Sequence, residues 1–360
     1  MKMTVFTGFP GFIATRLMEA CARKGWGLAA IVLPSEMEKA KKQAAITERR
    51  TGCAPVRLMA GDITAEGLAL SGEDRLWLTG QQLVFWHLAA IYDLAVPEDI
   101  ARKVNILGTQ RVNELVKTLD HHLERYMYFS TAYVAGKREG LLLEDELVRP
   151  DAFKNHYEET KFEAELLVEQ LKKEVPTTIV RPGIVRGHST SGETSKFDGP
   201  YFFLNMIDRM KQLPAIPYIG RSNTAINVVP VDYILDASVY LSELKKAESA
   251  TVHLTDPHPH PVEEVYRAMV HEMTGRYPKG RIPKKLAALS MTVPAIRKYL
   301  GVEAETLDYM DWQAQFDTRI AQSLLEGSGI QPADFLETIP AMVAFYEQHK
   351  KESKYHVTIA

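Results

Sequence analysis

The sequence predicts an α/β fold: a doubly wound parallel sheet with a smaller, mostly helical cap in the C-terminal part. Three observations predict it. Short apolar runs alternate with helical patterns through the first half of the chain. Those runs are continuously apolar rather than alternating, as strands covered on both faces require. The first run, Met3–Thr7, passes through a turn with two glycines straight into a helical pattern. The chain has 360 residues, 46% hydrophobic and 25% charged, which suits one large or two modest units with an ordinary core.

In order, strands are expected at Met3–Thr7, Leu28–Leu33, Val56–Ala60, Leu83–Leu88, Tyr126–Ser130 and Thr177–Arg181. Helices are expected at Phe12–Lys24, with Ile13, Leu17 and Ala20 on one face, at Val104–Leu119 and at Tyr157–Lys173. Residues 186–225, rich in Gly, Ser, Thr and Pro, read as loops. Asn227–Val231 and the helix after it read as a return to the main sheet, and Thr251–Leu254 as a last strand. Beyond Pro257 the pattern is mostly helical, punctuated by Pro278, Pro283, Pro294, Pro332 and Pro340; Glu303–Ile320 and Phe335–His349 have amphipathic spacing. The expected division is a first domain over 1–185 with return segments in 226–256, interleaved with a cap made of 186–225 and 257–360.

The formal net charge of -3 gives no electrostatic reason to expect nucleic acid or an anionic membrane as partner. The two cysteines, Cys21 and Cys53, make neither a disulfide framework nor a C-x-x-C zinc pair, so a reduced, cytoplasmic setting is expected. No signal-peptide pattern, no run of 18 apolar residues and no internal repeat is present. His258 and His260 lie in Asp256-Pro-His-Pro-His-Pro261, where the prolines favour a stiff loop over a metal site; no metal is expected.

The turn reads Thr7-Gly8-Phe9-Pro10-Gly11-Phe12-Ile13-Ala14. Glycines there let backbone N–H groups approach a pyrophosphate, and the following helix N-terminus favours the anion. Strand, turn and helix together predict a Rossmann-type dinucleotide site. The second strand should end on an acid for the 2′-hydroxyl of NAD or a base for the 2′-phosphate of NADP. It reads Val32-Leu33-Pro34-Ser35, with neither, so Ser35 is the cofactor candidate there. Lys39, Lys41 and Lys42 follow and fit a solvated helix face as well as phosphate contact. The missing acid tilts the reading toward NADP(H) over NAD(H). Asp62, followed by Ile63, is placed to accept from the adenine amino group or to cap a turn. Leu88, Ala89 and Ala90 close the fourth strand with a backbone that a cofactor can lie against; His87 is assigned to the core.

Tyr157 and Lys161 stand four apart in a helical pattern, on one face. A phenol titrates near about 10, and a neighbouring ammonium is expected to lower that value and fit it for acid–base work at a carbonyl or alcohol oxygen. The strand end Ser130-Thr131-Ala132 supplies a hydroxyl to polarise the same oxygen.

Thr7-Gly8-x-x-Gly11-x-x-Ala14, His87-x-Ala89-Ala90, Asn105-x-x-Gly108-Thr109, Ser130-Thr131-Ala132, Tyr157-x-x-x-Lys161 and Arg181-Pro182-Gly183 occur in this order. Together they resemble the extended short-chain dehydrogenases/reductases over about residues 1–255. Gly8–Ile13, Ser130–Val134 and Val229-Pro230-Val231-Asp232-Tyr233 look like the thioester-reductase and fatty acyl-CoA reductase, or "male sterility", branch. The resemblance implies an NAD(P)(H)-dependent reductase of acyl thioesters, aldehydes or ketones. It implies catalysis by Thr131 (Ser130 in reserve), Tyr157 and Lys161. It implies cofactor contact by Asn105 and by Pro182, Gly183, Ile184 and Val185, which match the segment facing the nicotinamide amide. Pro34 stands where many members carry an arginine for the NADP phosphate. Homodimerisation is implied by the resemblance alone. Two rival readings remain: an epimerase, dehydratase or reductase of nucleotide sugars on the same scaffold, and a non-catalytic dinucleotide-binding sensor. Tyr201, Phe202, Phe203, Met206 and Ile207 are either contacts for an acyl or aromatic substrate or ordinary cap core.

Overall fold

The computed structural model describes residues 2–92, 96–302 and 311–357. Seven parallel strands form the main sheet: β1 (Met3–Thr7), β2 (Gly27–Val32), β3 (Arg57–Ala60), β4 (Leu83–His87), β5 (Leu123–Phe129), β6 (Thr177–Pro182) and β7 (Thr251–Leu254). Their spatial order is β3-β2-β1-β4-β5-β6-β7. The direction of winding reverses between β1 and β4, so the crevice outside their carboxyl ends is the ligand position that this topology creates. Thr7 and His87 lie in register there, and His87 is in register with Tyr128 of β5.

Helices cover both faces, which is why the central strands are apolar without alternation. On one face Phe6, Trp86, Met127 and Val180 pack against Leu17 and Cys21 of the helix Phe12–Arg23 and against Ile234 and Leu241 of the helix Val231–Glu243. On the other, Val5, Phe85, Tyr128 and Ile179 meet Val112 and Val116 of the helix Gly108–Thr118 and Ala164 and Val168 of the helix His156–Leu171.

Residues 186–225, expected as loops, contain the helix Tyr201–Met210. Tyr201 through Ile207 are all buried, and they pack with Val265 and Met269 of the helix Val262–Thr274 and with Met342 and Tyr346 of the helix Phe335–His349. The flanking Gly, Ser and Pro masked this apolar run, and its aromatic residues serve as cap core. Val228–Pro230 does not rejoin the main sheet. It pairs with Ile184–Arg186 in a separate parallel ladder, because the chain leaves β6 at Gly183 and turns away; the helix that follows it does return to the main sheet. Short ladders join Tyr218–Ile219 to Arg281–Ile282 and Gly140–Leu142 to Ala314–Phe316. Of the amphipathic stretch read at 303–320, residues 303–310 lie outside the described residues. Late in the chain, the helix Arg319–Leu325 returns Ala321 and Leu325 to the first core cluster. The buried Glu144 carboxylate accepts from the backbone N–H groups of Ile320 and Ala321 at that helix start and from His253 on β7. His260 pairs with Asp334 at 2.7 Å.

A buried ion pair ties helix to sheet. Arg181 on β6 donates to Glu165 of the helix His156–Leu171 through Nε (2.9 Å) and Nη2 (2.6 Å), and to the carbonyls of Glu144 and Glu146 at 3.2 and 3.0 Å. Their side chains are 2% and 0% exposed. Removing one partner leaves the other charged and desolvated, which costs about 3–5 kcal/mol. Arg181→Met is therefore expected to lower the urea midpoint by a corresponding amount. The double variant Arg181→Met/Glu165→Leu should recover much of it, which equilibrium unfolding monitored by circular dichroism will check.

Candidate active site

The turn after β1 is built for close approach. Gly8 has φ +86°, and a Cβ there would stand 2.8 Å from the Ala89 nitrogen and 2.9 Å from the Leu88 carbonyl carbon. The backbone of β1 can thus lie on the exit of β4 only without a side chain. The Gly11 N–H donates to the Gly8 carbonyl at 2.7 Å, and a Cβ on Gly11 would meet that same oxygen. Phe9 is buried, Pro10, Phe12 and Ile13 are half-buried, and Gly11 is exposed. The helix Phe12–Arg23 starts at Gly11 with no side-chain cap, so its first-turn N–H groups form an anion-favouring end. A cradle that a Cβ would fill, together with an uncapped helix end, fits a pyrophosphate.

Ala89 N donates to Thr7 Oγ1 at 3.2 Å, and Leu88, Ala89 and Ala90 are half-buried along the crevice. Ser35 is exposed in the turn Pro34–Glu36. Lys39 pairs with Glu36 and Lys41 with Glu38, at 3.4 and 2.7 Å, on the solvated face. Asp62 accepts from the N–H and hydroxyl of Thr64, at 2.8 and 2.9 Å, through one of its two oxygens. Ile63 is buried against Gly108.

His87 is a strut. Its Nδ1 lies 2.7 Å from Thr7 Oγ1 and its Nε2 3.1 Å from Thr109 Oγ1. Burial, and after it the charge of Lys161, hold its pKa down at about 3, so the ring is neutral. Asn105 lies in a wide helical turn, Arg102–Leu107. Its side-chain oxygen accepts from Ile91 N at 2.9 Å and its amide donates to Thr160 Oγ1 at 3.0 Å. Both ends of the amide are engaged by protein, joining the loop after β4 to the helix that carries Tyr157. In the segment after β6, Gly183 N donates to Leu254 O at 3.2 Å and Ile184 N to Asn227 O at 3.0 Å. Pro182 ends β6 in register with Leu254, and Val185 packs on the main core.

Asn155 caps the helix His156–Leu171 by accepting from Glu158 N at 2.9 Å. Along one face of this helix, Tyr157, Lys161 and Glu165 meet groups on β5, on β6 and in the segment after β5. The Thr131 hydroxyl lies close enough to Tyr157 to act on its phenol, and its oxygen accepts from Tyr133 N at 3.2 Å. Lys161 Nζ donates to the Phe129 carbonyl at 2.7 Å and to the Tyr128 hydroxyl at 3.1 Å. Glu165 accepts from Ser130 and from Arg181. Thr131 is thereby the hydroxyl at Tyr157, while Ser130 is turned to Glu165. The Tyr157 ring stands edge-on to Tyr92, centroids 5.1 Å apart. A cavity of about 370 Å³ opens beside the helix start, lined by Arg149, Lys154, His156 and Glu159 among others.

The expected lowering of the Tyr157 pKa by Lys161 is not found. Burial raises the phenol above its ordinary value, the Thr131 hydrogen bond pulls it down and Glu158 pushes it up. The Lys161 ammonium is spent on Phe129 and Tyr128, and burial brings its own pKa down to about 7 against the opposing pull of Glu165. Glu165 and Tyr92 were missed in the sequence. Glu165 continues the spacing of Tyr157 and Lys161 by one more step of four, a signal that helical periodicity holds. Tyr92 carries none beyond following Ala89-Ala90.

A family model described as "Male sterility protein" matches residues 6–238. The chain is 26% identical over 235 residues to the L-2-aminoadipate reductase of Saccharomyces cerevisiae, covering 60% of this chain and 16% of that protein. It is 23% identical over 288 residues to the alcohol-forming fatty acyl-CoA reductase of Simmondsia chinensis, covering 62% and 55%. It therefore spans less than two thirds of each of these relatives. Among solved structures it is similar to the terminal R domain of the myxalamid PKS-NRPS pathway, with TM-score 0.80 and 21% identity over 97% of this chain and 91% of that one. It is also similar to the UDP-glucuronic acid 4-epimerase of Bacillus cereus in complex with NAD, with TM-score 0.66 and 20% identity over 97% and 99%. Both likenesses are of fold, the Rossmann-type sheet.

Gly8→Ala forces a positive φ on a residue with Cβ, at about 1–2 kcal/mol before any clash, and pushes that atom into Ala89. The variant is expected to fold yet lose most of the thermal stabilisation that saturating dinucleotide gives the parent chain, measured by differential scanning fluorimetry.

Proposed function

The chain belongs to the male sterility protein family, and on that premise we propose that it is an NADP(H)-dependent reductase of an acyl thioester or related carbonyl compound. The observation that carries this reading is that the helix face bearing Tyr157 and the buried Lys161 lies on the carboxyl end of β5, where Lys161 donates to the Phe129 carbonyl and the Thr131 hydroxyl acts on the Tyr157 phenol. Chain connection supports the proximity of the glycine turn: Gly8 lies against Leu88 and Ala89, and Tyr92, three residues on, touches Tyr157.

A bound reduced nicotinamide supplies hydride. The protein supplies the rest. Burial keeps the Tyr157 phenol protonated at neutral pH, the state needed to give a proton to the carbonyl oxygen as charge develops on it. Thr131, whose oxygen accepts from Tyr133 N, is the hydroxyl that would donate to the same substrate oxygen. Lys161 stands one turn away, held by the Phe129 carbonyl and the Tyr128 hydroxyl, as the group that would hold the nicotinamide ribose. The exit of β2 supports NADP(H), since Leu33, Pro34 and Ser35 offer no carboxylate to a 2′-hydroxyl and would not repel a 2′-phosphate. No helix among the described residues is long and apolar enough to cross a membrane. The nucleotide-sugar reading uses the same cleft, and comparison of acyl-CoA compounds, aldehydes and nucleotide sugars as substrates separates the two.

Three outcomes are expected. Tyr157→Phe should lower turnover by about 10²–10⁴-fold while NADPH still raises the melting temperature; intact turnover would remove the catalytic assignment of Tyr157. Because Lys161 loses its charge as pH rises through about 7, kcat/KM for reduction should fall on that alkaline side, and the limb should vanish in Lys161→Met. NADPH should stabilise the fold more than NADH at equal concentration; an equal or smaller shift would overturn the NADP preference.

A further inference from the structure

The small net charge of the chain averages over an uneven distribution. Residues 273–302 carry seven basic side chains and no acidic one, in a chain whose formal charge is -3. They belong to the cap. The ladder of Arg281–Ile282 with Tyr218–Ile219 ties them to it, and the helix Pro294–Leu300 packs on the helix Tyr201–Met210.

The helix Lys284–Met291 is anchored on one side only. Met291 is buried in the cap core. Leu286 and Leu289, three apart and therefore on one face, are 58% and 65% exposed. Val293, just beyond this helix, and Tyr299, on the next one, are 44% and 62% exposed. Apolar residues scattered singly over a surface are ordinary, whereas a run of them within one helix pair marks a contact surface. The cations among them are largely unspent. Arg281 pairs with Glu263 and Lys284 with Asp311. Lys279, Lys285 and Lys298 are exposed and form no ion pair among the described residues. A lysine can lay its alkyl stem along an apolar surface while its ammonium stays in water.

We propose that this face of the cap rests on a membrane surface rich in anionic phospholipid, with Leu286, Leu289 and Val293 entering the acyl boundary and Lys279, Lys285 and Lys298 at the headgroup phosphates. Charge complementarity selects the partner. A stretch with seven cations and no anion carries nothing that an anionic leaflet repels, and each lysine near the leaflet adds to the attraction. The form of the apolar face selects lipid over an acidic protein. Leucines that stand out of a surface need sockets of matching shape on a folded partner, whereas a bilayer yields around them. Such a contact lies on the membrane without spanning it. It is independent of the chemistry assigned to Tyr157.

Co-sedimentation of the full chain with vesicles tests the proposal. One set of vesicles is phosphatidylcholine alone, and the other is phosphatidylcholine and phosphatidylglycerol in equal parts. The parent chain should partition at least about tenfold more strongly onto the phosphatidylglycerol vesicles. Raising the salt from about 0.05 M to about 0.5 M should remove most of that preference. Lys285→Glu/Lys298→Glu should abolish it. Leu286→Ser/Leu289→Ser, with every lysine in place, should weaken binding by about tenfold. An unchanged circular dichroism spectrum and melting temperature show that each variant is folded. Failure of the parent chain to bind phosphatidylglycerol vesicles, or equal binding to both kinds, overturns the proposal. So does binding that survives the leucine substitutions and vanishes with the lysines, the result expected of a face that meets an acidic protein instead. Should a double variant fail to fold, Leu289→Ser and Lys285→Glu are read singly in the same way, each with a smaller loss.

Discussion

The buried pair of Glu165 and Arg181 is the constraint on which the candidate site depends. Two charges removed from water add little net stability, yet they leave few arrangements in which every donor and acceptor is met. Here the satisfied arrangement seats the helix His156–Leu171 on β5 and β6 in one register. That register brings Lys161 to the Phe129 carbonyl and Tyr157 to Thr131. It also consumes Ser130, so the choice between adjacent hydroxyls is made by a residue that touches neither phenol nor substrate. Asn105 performs a related service on the other side, holding the loop after β4 to the same helix through Ile91 and Thr160.

Burial acts with opposite effect on the two ionisable groups of the site. It disfavours phenolate and ammonium alike, so Tyr157 moves up while Lys161 moves down to about 7. The result is a proton donor in its donating form beside a cation that is poised near neutrality. The pairing assumed from the four-residue spacing, a lysine that acidifies its tyrosine by proximity, overlooked that a buried ammonium first needs oxygens of its own. The Phe129 carbonyl and Tyr128 hydroxyl supply them.

What the sequence made legible was local. The glycine turn, the strand ends and the Tyr157–Lys161 spacing are each written within a few residues, and the parallel sheet covered on both faces follows from the alternation of strands and helices. Arg181 stood in the recognised Arg-Pro-Gly segment without a role, because its partner Glu165 lies on another element and only the packed sheet joins them. The helix Tyr201–Met210 was hidden by glycine and proline on both sides, although seven consecutive buried residues declare it once the cap core is seen. The strand Val228–Pro230 was assigned to the wrong ladder because nothing within it names its neighbour. Tyr92 was unreadable for the same reason: its significance is its contact with Tyr157 on another element.

The short helix Arg319–Leu325 bears on how a protein of this build can be recombined. After passing through the outer part of the molecule, the chain returns to plug Ala321 and Leu325 into the core beside the main sheet, and Glu144 grips the start of that helix. A chimaera that exchanged everything after β7 for a foreign tail would open two apolar sockets and strand a buried carboxylate. Specificity is transplantable only in pieces, with residues 311–325 kept from the parent as a keystone and the segments on either side changed around it.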